Sequence, residues 1–466
     1  MAKARLRPHV GLLALMIDMY REMPEFQQRM EGLAIELLGS LRQHARVTYS
    51  GVCDSRSMVD SAVAEMEKAG AELLLVFPLT YAPSQVVLPA ILCSKLPVLV
   101  INTQWLRTFT PDLSDMTLEE NQALPGVQDL ANVLVRQGVS FRVVTGYYRD
   151  PSFLQEIRDW SEAAHVARYV QQIRVGLVGY PMDGMGDFAL DSTALLGQVG
   201  IEVKHIPPGE VAERAAQAPS QEIDRQMAAD RAEFQVQEPL PEDEHRAASR
   251  LEWALRQTVQ ERRLDGIAVH FMAVDDDGRF EAWPLMAASK LMGEGYGYGG
   301  EGDVACAATM AMMIRLSGAA HFFQGWAMDF ENEAIVFTHM GEGNYRLAHP
   351  NRPVRLVRYP FPMKVPKPPV NLVFDLRPGE ATVVNLTTTR GGRLKFTVTE
   401  GCVLDFTSVR DVPMPQGEFK PDLPLREFLH RSFEVGASHH SALVYGRCAD
   451  KVIKVANLLG VECERI

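Results

Sequence analysis

From the start of the chain to about residue 145, one pattern repeats: a short apolar run of strand-forming residues, then a stretch with helical spacing. The runs are HVGLLAL (9–15), LLLVFPL (73–79), PVLVIN (97–102) and FRVVTG (141–146), and PEFQQRMEGLAIELLGSL (24–41) carries the helical spacing after the first. A strand that is apolar along its whole length is buried on both faces, which a parallel sheet covered by helices on each side achieves. The pattern predicts an open, doubly wound α/β domain.

It then begins again. After a helical stretch near 151–172, RVGLVGYP (174–181), IEVKHI (201–206) and GIAVHF (266–271) predict a second doubly wound α/β domain. Between the last two lies a highly charged segment, about 220–263, with helical periodicity, expected to be a solvated helical face without a function of its own. In the final third, VRLVRYPF, VNLVFDL, ATVVNLTTT, RLKFTVTEG and VLDFTSV are strands joined by Gly- and Pro-bearing turns, which predicts a mostly antiparallel β domain, a sheet or a barrel. Helical patterns return at LPLREFLHRSF and CADKVIKVANLL. A chain of 466 residues is too long for one core, and the expected domains are 1–172, 173–315 and 316–466.

Charge and cysteine usage exclude several function classes. The net charge is −12 and no cluster of Lys and Arg occurs, so neither nucleic acid nor an anionic membrane surface is expected as a partner. The six cysteines are scattered without metal or disulfide spacing, as for free thiols in a reducing compartment. Basic residues followed by an apolar run near the N-terminus suggest a signal peptide, but Asp18 interrupts the run and no small-residue cleavage site follows. No segment approaches the ~18 apolar residues of a membrane span. A cytoplasmic protein is expected.

Three segments carry chemistry. In GEGYGYGGEGD (293–303), six glycines surround Tyr296, Tyr298, Glu301 and Asp303 just before the helical run ACAATMAMMIRL. Such glycine density lets backbone approach a ligand, and a carboxylate at a helix start is favoured by the dipole; either acid also has the alternative of simply capping the helix. A phosphate loop is excluded, since no Lys-Ser/Thr pair closes it and two carboxylates repel phosphate. In FFQGWAMDFENEAIVFTHMGEGN (322–344) an apolar strand leads to His339 and then to a second acidic, glycine-rich turn, GEGN; a lone histidine at a strand end is commonly structural. In GASHHSALVYG (436–446), His439 and His440 are adjacent, so on a strand one of them faces any common site. One Glu and two His with room for substrate suit a divalent metal such as Mn²⁺, with Mg²⁺ or Co²⁺ as alternatives.

Those same segments resemble the L-arabinose isomerase and L-fucose isomerase-like family. GEGYGYGGEGDVACAATM looks like the family's stretch with a catalytic, metal-binding glutamate, here Glu301. MDFENEAIVFTHMGEGN looks like the region leading to a metal-binding histidine, here His339, and GASHHSALVYG like the C-terminal double histidine, here His440 as ligand with His439 toward the substrate. GLLALMIDMY, NTQ (102–104), NQALPGVQDLAN (121–132) and GYPMDGMGDFALD (179–191) have counterparts in matching order, so the resemblance spans the chain. It implies a metal-dependent aldose–ketose isomerase that moves a proton through an enediol, with Met185 and Phe271 near a small sugar substrate. It further implies a homo-oligomer with the site at a subunit interface.

Two positions depart from the family pattern. Gln324 stands where the resemblance implies a second catalytic and metal-binding glutamate, and an amide offers an oxygen ligand but no general base. Asp329, Glu331 and Glu333 are the nearby carboxylates available to replace it. Pro125 stands where the family has a histidine near the substrate, and proline donates no hydrogen bond. These departures keep two alternatives open: a relative that binds a sugar or regulates without turnover, and an epimerase using the same centre.

Overall fold

The computed structural model describes residues 7–359, 369–407 and 412–466. The chain divides into two units, one ending at Arg168 and the other running Tyr169–Ile466.

In the first unit the apolar runs form the parallel sheet their composition demands. Its order is Arg46–Thr48, His9–Leu15, Leu73–Pro78, Val98–Asn102, Phe141–Thr145, with Val52–Cys53 also paired to the end of His9–Leu15. Every residue of His9–Leu15 and Leu73–Pro78 is buried. Leu13, Leu74, Val76 and Val100 pack against Val59, Met66, Leu130 and Leu134 from the covering helices, each apolar side chain contributing about 1.5–3 kcal/mol. Pro125 lies in the first turn of the helix Ala123–Arg136, where its missing N–H has no helical partner to lose.

The second unit holds the other two predicted architectures. A four-stranded parallel sheet runs Gly297–Gly300, Gly266–Val269, Arg174–Val178, Glu202–Ile206. The chain moves from Arg174–Val178 outward to one side and returns on the other, so strand order reverses between Arg174–Val178 and Gly266–Val269. Beyond it, six strands close on themselves: Gly379–Thr388, His440–Tyr445, His321–Asp329, Ala334–Phe337, Gly417–Pro421 and Leu394–Val403, the last pairing back to the first. All six pairings are antiparallel, and closure removes the exposed edges an open sheet would present. Phe323, Phe337 and Phe419 pack together on one face. Phe322 and Gln324 alternate to the other.

Two expectations are corrected. The charged segment forms the helices Ser220–Glu233 and Glu242–Glu261, but its inner side is not solvated: Asp230, His245 and Glu252 are at most 2 % exposed. Lys290 lies 2.5 Å from Asp230 and 3.0 Å from Glu252, and Arg256 also pairs with Glu252. Opposite charges supplied by a neighbouring helix, Leu285–Glu294, compensate the desolvation that keeps isolated charges at the surface. The segment VLDFTSV is not a separate strand either, because Val403 ends the long strand before it and Leu404–Thr407 are irregular; residues 408 and 409 lie outside the described residues. All six cysteines are free, and no helix among the described residues is long and apolar enough to cross a membrane.

Candidate metal centre

Glu301 is placed by an unusual approach of backbone to backbone. The strand Gly297–Gly300 lies directly under the helix Val304–Ser317, where a Cβ on Gly297 would collide with the carbonyl of Ala307 and one on Gly299 with that of Asp303. Between strand and helix the chain reverses at Glu301, which has φ +57°, a left-handed conformation costing an L-residue about 1–2 kcal/mol. Backbone strain of this kind concentrates at functional sites. Its carbonyl accepts from Met182 N–H at 2.9 Å, and its side chain is nearly buried. Capping of the helix falls to Asp303 instead, whose Oδ1 accepts from Cys306 N–H at 2.8 Å.

Three histidines surround the Glu301 carboxylate. His339 follows the strand Ala334–Phe337, and its Nε2 lies 3.9 Å from Glu301 Oε1. His440 opens the strand His440–Tyr445, and its Nε2 lies 3.7 Å from Oε2. His439 Nε2 lies 3.9 Å from the same oxygen. Each ring is backed by a carboxylate on its far side. His440 Nδ1 donates to Asp303 Oδ2 at 3.1 Å, and His439 Nδ1 to Asp187 Oδ2 at 2.7 Å. Glu342 Oε1 lies 3.0 Å from His339 Nδ1 and accepts from Tyr298 O–H at 3.1 Å. A carboxylate only accepts, so His440 carries its proton on Nδ1 and turns the Nε2 lone pair toward Glu301, the arrangement of metal-binding imidazoles.

Gln324 joins this group through strand register. It pairs directly with His440, which puts both side chains on one face about 5 Å apart at Cβ. Among the described residues, Gln324 Oε1, Glu301 Oε2 and His440 Nε2 are all buried without a hydrogen-bond partner. Unsatisfied ligand-type atoms on Glu301 and His440, 3.7 Å apart, with Gln324 on the same sheet face, fit a divalent cation, since leaving each unpaired costs about 1–3 kcal/mol. Ligand atoms of Glu301, His439 and His440 lie within 4.8 Å of one another. That cluster and the resemblance-based set share Glu301 and His440.

Charge separates the adjacent histidines. Burial pushes His439 down, but its hydrogen bond to Asp187 and the negative charges of Asp187 and Glu301 outweigh this and raise it to about 9. Burial holds His440 below the ordinary imidazole range despite Asp303. Burial pushes Asp187 up, yet its bonds from His439 and Ser438 hold it well below the carboxylate range. Glu301 is likewise lowered, burial being overcome by His439, His339 and His440.

The remaining predicted residues are placed as follows. Met185 is half-buried in the loop that carries Asp187. Phe271 is buried against Trp283 and Leu285, its ring 5.1 Å from that of Trp283. Asp329 accepts from the Glu331 and Asn332 N–H groups in the exposed turn ending His321–Asp329, and Glu333 accepts from Leu425 N–H. None of Asp329, Glu331 and Glu333 joins the cluster, because Asp329 is five strand residues, about 16 Å, beyond Gln324. Asp187, Glu342 and the second role of Asp303 were not anticipated. Their signals were the GMGDF loop, the GEGN turn after His339 and the GEGD motif, acidic residues set among glycines.

Three family models tile the chain: the L-arabinose isomerase N-terminal domain matches residues 21–172, the central domain 191–319 and the C-terminal domain 319–462. L-arabinose isomerase 1 of Bacillus licheniformis is 26% identical over 429 residues, covering 90% of this chain and 85% of that protein. The L-arabinose isomerases of Anoxybacillus flavithermus and Thermotoga maritima are each 25% identical, over 467 and 464 residues, covering 94% of this chain and 90% of each relative.

Proposed function

This chain belongs to the L-arabinose isomerase family, and from that premise we propose that it is a metal-dependent aldose–ketose isomerase acting on an aldopentose of the L-arabinose type. The observation that carries the proposal is the approach of Glu301 Oε2 to His440 Nε2, both buried and without a hydrogen-bond partner among the described residues, beside His339 and with Gln324 paired to His440 on the same sheet face. Glu301, Gln324, His339 and His440 would hold the cation, Mn²⁺ in the first instance. When bound, it would polarise the sugar carbonyl and stabilise the developing oxyanion.

Everything else falls to the chain's own residues. Glu301 is the single carboxylate of the four ligands, so it takes the proton from the carbon beside the carbonyl and returns it to the former carbonyl carbon. The hydroxyl proton of the first carbon passes to the former carbonyl oxygen, so that no proton is gained or lost overall. One base suffices when both carbons present the proton to the same face. Gln324 has no useful pKa and acts as a neutral oxygen ligand. His439, its Nδ1 hydrogen-bonded to Asp187, turns Nε2 toward Glu301 and would offer a hydrogen bond to a sugar oxygen gaining negative charge.

The test is ketose formation from a panel of aldoses, L-arabinose first, with Mn²⁺ added. Turnover should fall by about 10²–10⁴-fold in Glu301→Gln. Gln324 favours a second reading, a relative that binds sugar without converting it. Sugar binding without turnover in the wild type, with isomerisation appearing in Gln324→Glu, would establish that reading instead. Deuterium from D₂O placed at a single inverted carbon would mark an epimerase.

A further inference from the structure

His270 is 3 % exposed, and among the described residues neither of its ring nitrogens has a hydrogen-bond partner. A buried imidazole with both nitrogens unsatisfied is rare, because each loses its water without compensation. Its surroundings explain its burial but not its nitrogens: the ring of Tyr180 stands edge-on at 4.8 Å and that of Phe271 at 6.2 Å.

Where His270 lies supplies the missing partner. Val269 pairs with Gly300 across two parallel strands, so His270 and Glu301, the next residues of each, leave the sheet side by side, about 4.8 Å apart at the backbone. They do so at the carboxyl ends of the strands, next to the point between Arg174–Val178 and Gly266–Val269 where strand order reverses. Crevices at such points are where open α/β sheets bind ligands. The loop after Arg174–Val178 forms the other wall, fastened by the Met182 N–H to the Glu301 carbonyl. A polyol whose oxygens reach the Glu301–His440 centre would extend its remaining hydroxyls past His270. A neutral imidazole offers one donor and one acceptor, which matches a pair of neighbouring hydroxyls.

We propose that His270 is a sugar-binding residue of this site, holding two hydroxyls of the substrate through its ring nitrogens. The inference rests on the sugar-isomerase reading above. It is tested on the Mn²⁺-loaded full chain by calorimetry with L-arabinitol, an unreactive reduced form of L-arabinose, together with Mn²⁺ titration and KM and kcat for L-arabinose. His270→Phe keeps a planar ring and loses both nitrogens; it should weaken L-arabinitol binding by about 10- to 100-fold and raise KM more than it lowers kcat, at unchanged Mn²⁺ affinity. His270→Gln, which keeps a donor and an acceptor, should recover part of the loss. Unchanged L-arabinitol affinity and KM in His270→Phe, beside a wild type that binds, would overturn the role of His270 alone. So would a matching loss of Mn²⁺ affinity, which would mean that the residue acts through the metal centre. A wild type that binds Mn²⁺ but neither L-arabinitol nor L-arabinose would overturn the sugar reading and this inference with it.

Discussion

Replacing Asp303 with asparagine separates two jobs that one side chain performs. Oδ1 caps the helix Val304–Ser317 through Cys306 N–H, and Oδ2 accepts from His440 Nδ1. Asparagine is as good an N-cap as aspartate, so the amide oxygen stays on Cys306 N–H and the NH₂ turns toward His440. Two donors then face each other. The imidazole relieves the clash by moving its proton to Nε2, where it points at Glu301 Oε2, 3.7 Å away, and the lone pair that would hold the cation is lost. Loss of such an outer partner lowers metal affinity about 10- to 100-fold, or ~1.4–2.7 kcal/mol. Asp303→Ala loses the cap as well and leaves Cys306 N–H buried and unpaired, together about 1–3 kcal/mol. Mn²⁺ titration calorimetry and urea denaturation of the metal-free protein give both numbers. The Asn variant should lose metal affinity while remaining more stable than the Ala variant. Mn²⁺ binding within twofold of wild type in Asp303→Asn would refute the tautomer argument.

Other outcomes follow from the same geometry. Tyr298→Phe removes the O–H that Glu342 Oε1 accepts behind His339, and denaturation should report a loss of about 1–3 kcal/mol with weakened Mn²⁺ binding. Lys290→Met strips the cation from between the buried Asp230 and Glu252, costing ~3–5 kcal/mol in the same assay; a loss below ~1 kcal/mol would mean that Arg256 at Glu252 and His245 at Asp230 compensate the two acids without it. Burial lowers His321 to about 3, whereas in the unfolded chain it titrates near its ordinary value of 6.5. Below pH 6.5 the unfolded state therefore binds the extra proton, so stability is full above that pH and falls by about 1.4 kcal/mol per unit toward pH 3. His321→Gln, which can still accept from Asn344 N–H, should flatten that slope; an unchanged slope would assign the acid sensitivity to other groups.

Local pattern was enough to place most strands and helices, because a buried strand must be apolar throughout and an amphipathic helix must repeat every 3.6 residues. HVGLLAL is the strand His9–Leu15 to the residue, and ATVVNLTTT falls almost wholly within Gly379–Thr388. The glycines around Glu301 announced a close backbone approach, and the carboxylate before ACAATM announced a cap, since both constraints act over a few residues. What lay beyond the sequence were the meetings of distant segments. Strand register, not composition, sets Gln324 against His440 and His270 beside Glu301. Ring closure of six strands and the helix across them bring residues 187, 301, 303, 339 and 440 within a few ångströms, and only their combined burial leaves some nitrogens and oxygens without partners. The charged helices deceived for the same reason: whether Glu252 meets water or Lys290 depends on a helix about forty residues further along the chain. Glu301, His339 and His440 were thus visible as candidates one by one, and the tertiary structure decided that they face one another and which carboxylate stands behind each histidine.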